Sequence, residues 1–158
     1  MPATYRPHVL GIDDAPFEKH QSAPVPLVGV TMEVPDLIES VAVSALPVDD
    51  AGATAHLAGW ISKIRTRPSL QAVLLGGITI AGLGIVDLEA LAGALGLPVL
   101  AVNRRDPTHS ELHRALETAG LADRWPMVER SPPARRVSDG LFLAHAGCDR
   151  AEAERLVR

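Results

Sequence analysis

The chain has 158 residues, 47% of them hydrophobic and 22% charged, with a net charge of −4. That is the scale of one domain with a real core, and it excludes a disordered chain. The acid excess argues against a general basic clamp on nucleic acid, and five aromatic residues are too few for a base-stacking platform.

The first apolar run, residues 8–13, reads as a buried strand ending in the acids Asp13 and Asp14. Consecutive strand residues point to opposite faces, so these two carboxylates cannot both face one site from regular geometry. Either acid could instead cap a turn before Pro16. Residues 25–32 and 40–46 are β-rich, with a turn at 33–36, which predicts three antiparallel neighbours. Residues 53–67 carry Leu57, Trp60, Ile61 and Ile64 in one helical stripe, closed by Pro68.

Residues 71–75 form a short apolar strand without alternation, as expected when both faces are covered. A glycine-rich loop follows at 76–84. Asp87 suits the N-cap of a helix over Leu88–Leu95, and Gly96 and Pro98 end it. Residues 98–103 predict another buried strand. Thr108 and Glu111 suggest a capping box for a helix over 110–119, stopped by Gly120. Residues 126–129 and 140–145 suggest one more strand or two, and Asp149 caps a last helix at 150–158. The order predicts a single α/β domain over residues 1–158, with a mixed sheet of five or six strands and helices on its faces. It is the order of the ribonuclease-H-like fold.

Cys148 is the single cysteine, which rules out an internal disulfide and suits a reduced, cytoplasmic setting. No apolar run reaches ~18 residues, and the first residues lack the apolar core of a signal peptide. His109 and His113 lie four apart, a spacing that could hold zinc, although surface imidazoles commonly hold nothing.

Five blocks then resemble one family in its own order. They are GIDDAPF from Gly11, VPLVGVTM from Val25, PVDDAGAT from Pro47, GITIAGLGIVD from Gly77 and LPVLAVNRRDP from Leu97. The family is endonuclease dU, formerly a domain of unknown function, related to endonuclease V. The resemblance implies a ribonuclease-H-like fold and a divalent-metal-dependent endonuclease acting on DNA with a modified base of the deoxyuridine type. Mg²⁺ or Mn²⁺ is the implied cofactor and DNA the implied partner, with a homo-oligomer compatible. Such chemistry uses converging carboxylates to hold one or two ions that activate water.

The resemblance places Asp13 and Asp14 at the family's first-strand acids, Asp49 in its valine-aspartate-glycine block, and Asp87 after the glycine loop. Asp13 and Asp87 are the expected metal ligands, and Arg104 and Arg105 the expected phosphate contacts, although a basic half with Asp106, Asp123 and Glu129 beside it also reads as a solvated face. Two departures stand out. The family's Leu-Asp-Gly-Ile-Thr reads Leu75-Gly76-Gly77-Ile78-Thr79 here, and a second acid is replaced by Gly52. Substitution by Glu33 or Asp50 would be needed to make up the deficit. A catalytically degenerate member, serving as a nucleic-acid-binding or protein-interaction module, is the alternative.

Overall fold

The computed structural model describes residues 4–158. Its centre is a mixed seven-stranded sheet. Strands β1 (His8–Asp14), β2 (Val25–Glu33) and β3 (Leu37–Leu46) pair antiparallel in sequence order. After helix α1 (Ala53–Lys63), strand β4 (Ala72–Leu75) pairs parallel with β1. A small antiparallel hairpin, β5 (Thr79–Ile80) with β6 (Gly84–Ile85), lies inside the glycine-rich loop. Helix α2 (Leu88–Leu95) leads to β7 (Val99–Asn103), which is parallel to β4. Helices α3 (Ser110–Thr118) and α4 (Trp125–Glu129) follow. Strands β8 (Arg135–Ser138) and β9 (Leu141–Ala146) then complete the sheet, with β9 antiparallel to β7, before helix α5 (Arg150–Val157). The strand order is β3-β2-β1-β4-β7-β9-β8.

The two faces of the sheet are covered unequally. Leu10, Ile12, Leu27, Val73, Leu75 and Val99 point to one face, where they pack with Leu57 and Ile61 of α1 and Leu88, Leu91 and Leu95 of α2. Burying side chains of this kind contributes roughly 1.5–3 kcal/mol each. On the other face, Ala153 and Leu156 of α5 pack with Val9, Ala72, Leu100 and Leu143, and Leu74 and Val102 are partly buried beside them. Among the described residues, no helix packs on the β2–β3 side of that face. Gly11, Val28, Val30 and Leu74 line a shallow apolar groove there, and Val41 and Val43 of the edge strand are 60% and 66% exposed.

Several expectations are corrected. Helix α1 stops at Lys63 rather than Arg67, because Ile64 turns extended, and a 3₁₀ turn at Arg67–Ser69 takes up Pro68 near its start. Residues 126–129 are helical, not a strand: Pro126 sits in the first turn of α4, where its missing N–H costs nothing. The N-cap of α3 is His109 in a left-handed conformation, with no side-chain cap, while the Thr108 hydroxyl bonds that of Ser110. The sheet gains β8, which the sequence reading misses.

Cys148 packs partly buried beside the smaller core cluster. Burial, reinforced by Glu152 and Asp149, pushes its thiol up to about 11. Raising a thiol pKa leaves less thiolate at a given pH. Labelling at about pH 8 is therefore expected to run about 100-fold slower than in the unfolded chain, and to quicken about tenfold per pH unit towards pH 11. A thiol-reagent time course across pH checks this, and labelling as fast as in denaturant would contradict it.

Candidate functional site

Strands β1, β4 and β7 run parallel, so their C-terminal ends share one edge of the sheet. Each expected site residue reaches that edge or the loops beside it. Asp13 and Asp14 end β1, Gly76 follows β4, and Arg104 and Arg105 follow β7. Asp87 begins α2, which starts at the end where the β4 loop leaves the sheet. Asp13 and Asp87 are thus at the same end of the sheet, but alternation along β1 sets Asp13 on the face opposite the one that α2 covers, so the expected metal pair of Asp13 and Asp87 is not brought together.

The neighbours of these acids differ sharply. Asp13 is exposed, and its Oδ1 lies 4.0 Å from where a Cβ on Gly76 would stand. Its one hydrogen bond is local, accepted from the Asp14 backbone N–H at 2.9 Å. Beneath it, Ile12, Leu75, Gly76, Gly77, Thr79, Ile80 and Val86 enclose about 10 Å³, room for a single water or ion.

Asp14 points to the opposite face, as strand alternation requires. Its Oδ2 accepts the Ala81 N–H at 2.6 Å and so holds the β5–β6 hairpin onto β1. Asp49 does the same from the other side. Its backbone N–H donates to the Ala81 carbonyl, and its Oδ1 accepts the Leu83 N–H at 2.7 Å. Asp49 has φ +57°, a conformation that aspartate tolerates better than most residues. Asp87 is the N-cap of α2. Its Oδ1 accepts the Ala90 N–H at 3.0 Å, and its Oδ2 lies 3.6 Å from Arg130.

All four acids accept a backbone N–H, but only Asp13 takes that of its immediate chain neighbour, while Asp14, Asp49 and Asp87 hold groups further along the chain. For Asp87 the cap alone predicts a specific result. Asp87→Ala is expected to cost about 1 kcal/mol and lower Tm by about 2–4 °C, whereas Asp87→Asn, which also caps, leaves Tm nearly unchanged. A thermal melt decides it; equal losses in both variants would mean that the charge, not the cap, is what α2 needs.

The two glycines at acid positions are equally clear. Gly76 has an ordinary φ and space for a side chain. Gly52 is the N-cap of α1 without a side-chain cap, and its N–H donates to Asp50 Oδ2 at 3.2 Å. Asp50 is thus occupied beside Gly52. Glu33 is paired with His8 at the start of β1, about 17 Å from Asp13 at the usual strand rise, so it cannot replace the missing acid.

The donor set does not fit the divalent ion that the resemblance implies. Among the described residues, no three His, Cys, Asp or Glu side chains at this edge bring ligand atoms within 4.8 Å of one another; His8, Glu33 and Glu39, which do, lie at the far end of β1. One exposed carboxylate is too little charge to strip water from Mg²⁺, which dehydrates reluctantly. The histidine pair is not a zinc site either. His109 caps α3, and the His113 ring meets Trp125 edge-on at 4.4 Å.

The basic side of the edge is intact. Arg104 and Arg105 are exposed and take part in none of the ion pairs among the described residues. Arg105 lines a groove of about 360 Å³ with Asn103, Thr108 and His109 but also with the acids Asp106 and Glu111, a feature that motif reading does not reveal. Asn103 reaches this edge because its Oδ1 packs against Gly77, 3.2 Å from where a Cβ would stand. Arg124, by contrast, donates to the Leu83 carbonyl, and Arg130 serves Asp87.

The profile of the endonuclease dU family matches residues 6–158. A UPF0215 protein of Deinococcus radiodurans is 36% identical over 149 residues, covering 93% of this chain and 75% of the relative. A UPF0215 protein of Methanothermobacter thermautotrophicus is 31% identical over 154 residues, covering 95% and 76%. Among solved structures, a protein of unknown function from Archaeoglobus fulgidus superposes with a TM-score of 0.86 at 27% identity, over 96% of this chain and 85% of that one. Endonuclease V of Ciona intestinalis, solved with a 24mer DNA containing an inosine followed by a ribo-adenosine, superposes with a TM-score of 0.59 at 12% identity, over 96% and 76%. At that identity the likeness is one of fold. Among the described residues, no helix is long and apolar enough to cross a membrane.

Proposed function

The chain belongs to the endonuclease dU family, and from that premise we propose that it engages DNA carrying a modified base of the deoxyuridine type at the C-terminal edge of β1, β4 and β7, with cleavage crippled at that edge. The observation that carries this reading is Asp13, exposed with a glycine rather than an acid across from it. Arg104 and Arg105, free of acidic partners, supply the phosphate contacts. The endonuclease V neighbour, solved with DNA, supports a nucleic-acid partner for this fold. The net charge of −4 does not by itself oppose it, because a phosphate responds to the charge local to its site, and Arg104 and Arg105 stand exposed at this edge.

The chemistry expected of the family is hydrolysis of a phosphodiester beside the altered base with Mg²⁺ or Mn²⁺. In this chain Asp13, exposed at the end of β1 and bonded only to its neighbour's N–H among the described residues, is the carboxylate that would orient a water or an ion there. Duplex and single-stranded DNA with and without deoxyuridine test the reading by gel shift and by nicking with Mn²⁺. Binding is expected to weaken as salt rises, with a shallower slope for Arg104→Ala/Arg105→Ala, since each phosphate contact adds to that slope. Nicking is expected near background. Robust nicking that Asp13→Asn abolishes would instead show an intact nuclease, and absence of any DNA binding would leave a protein-interaction module.

A further inference from the structure

We propose that His8, Glu33 and Glu39 form a zinc site at the end of the sheet opposite Asp13. Their ligand atoms, one imidazole nitrogen and a carboxylate oxygen from each glutamate, all lie within 4.8 Å of one another. In a tetrahedral site with ~2.0 Å bonds, neighbouring ligand atoms sit about 3.3 Å apart, a spacing that small side-chain shifts reach from here. One imidazole with two carboxylates is a ligand set that Zn²⁺ accepts, with water in the fourth position.

The site is built on three adjacent strands. His8 and Glu33 are direct cross-strand partners on β1 and β2. The His8 backbone is pinned on both sides, its N–H donating to Gln71 Oε1 and its carbonyl accepting the Gln71 N–H. Glu39 arrives by a register shift: Thr31 faces Ser40 and Met32 faces Ile38, so Glu39 is the extra residue of a bulge. A bulge re-aims its side chain, and here it brings Glu39 Oε2 to 2.9 Å from His8 Nδ1. All three side chains are between 25% and 30% exposed, so an ion would be partly shielded from solvent.

The local charge favours a cation. Glu33, Glu39 and Asp36 carry three negative charges at this corner, and Arg6 supplies one positive charge by pairing with Glu33 and Asp36. Among these described side chains, with His8 neutral, a surplus of two negative charges remains. Arg6 Nε bonds Glu33 Oε1 at 2.5 Å, which fixes that carboxylate and leaves Oε2 for the ion. Binding takes the imidazole as its neutral form, with any proton on Nδ1 released or moved to Nε2.

Calorimetric titration of the chelator-treated full chain with Zn²⁺ tests the site, with Co²⁺ absorption as an independent probe of coordination. One equivalent per chain is expected, weakened at least tenfold in both Glu39→Gln and His8→Ala and unaltered in Asp13→Asn and His113→Ala. Glu39→Gln lies on the bulge at the protein surface and keeps the side chain's size, so it reads the ligand rather than the fold. Absence of zinc binding by the unmodified chain would overturn the proposal. So would unchanged affinity in Glu39→Gln and His8→Ala, or loss of binding in His113→Ala.

Discussion

Gly76→Asp is expected to raise Mn²⁺-dependent nicking of deoxyuridine DNA by at least ~100-fold, the scale on which one positioned charged or polar group changes turnover. The backbone accepts the side chain: φ at Gly76 is outside the left-handed region, and the nearest atom to an added Cβ is Asp13 Oδ1 at 4.0 Å. A carboxylate there would face Asp13 across neighbouring parallel strands, because Ile12 pairs with Leu75 immediately before them. Two carboxylates sharing a small space repel until a cation joins them. The variant should therefore melt lower than the parent without metal and recover when Mn²⁺ is added. Nicking by Gly76→Asp that also survives Asp13→Asn would show that the cleaving site lies elsewhere. Nicking no greater than the parent's, with DNA binding retained, would show that position 76 is not what limits cleavage.

Gly84→Ala is expected to be a strongly damaging single-methyl change at this edge, because what the methyl meets is backbone. An added Cβ would stand 2.6 Å from the Ile80 carbonyl oxygen and 3.4 Å from Ala53 Cβ and the Asp50 carbonyl. Ile80 and Gly84 are cross-strand partners in the hairpin, so neither backbone can step aside without opening it. Overpacking of this kind costs about 3 kcal/mol, or roughly 6–12 °C in Tm for a chain of this size. DNA affinity should fall with it, since the hairpin supports the edge. Gly76→Ala is the matched control, with no atom nearer than 4.0 Å, and a thermal melt of the pair separates a steric hairpin from a merely glycine-rich loop.

Much of the fold was legible because patterning and punctuation agreed. Strands β1, β2, β4 and β7 and the cap at Asp87 appear where apolar runs, Gly96 and Pro98 put them. Strand β8 was not legible: it is a four-residue, largely exposed edge strand of arginine, valine and serine, with no apolar period to read. The segment at 126–129 misled because Pro-Met-Val-Glu suits a strand by composition, while proline at a helix start is equally favourable.

The site was legible in its addresses but not in its allegiances. The expected residues do gather at one edge, with the missing acid at Gly76 among them. The cap at Asp87 could be read from the sequence, but nothing in it signals that Asp14 would be spent on Ala81 and Asp49 on Leu83. Those partners are backbone N–H groups, and every residue but proline carries one. The groove beside Arg105 and the bulge that turns Glu39 towards His8 arise from pairing between distant strands, which residue types do not announce.

The carboxylates that clasp the hairpin also bear on evolutionary reversibility. A site whose acids are held apart only by an ion tends to collapse or drift once the ion is lost, and later mutations then erase it. Here Asp14 and Asp49 retain a use that owes nothing to metal, so selection for a stable fold keeps them in place and in register. That second employment outlasts any metal at this edge, so a carboxylate introduced at position 76 would meet strand ends and a hairpin still in register.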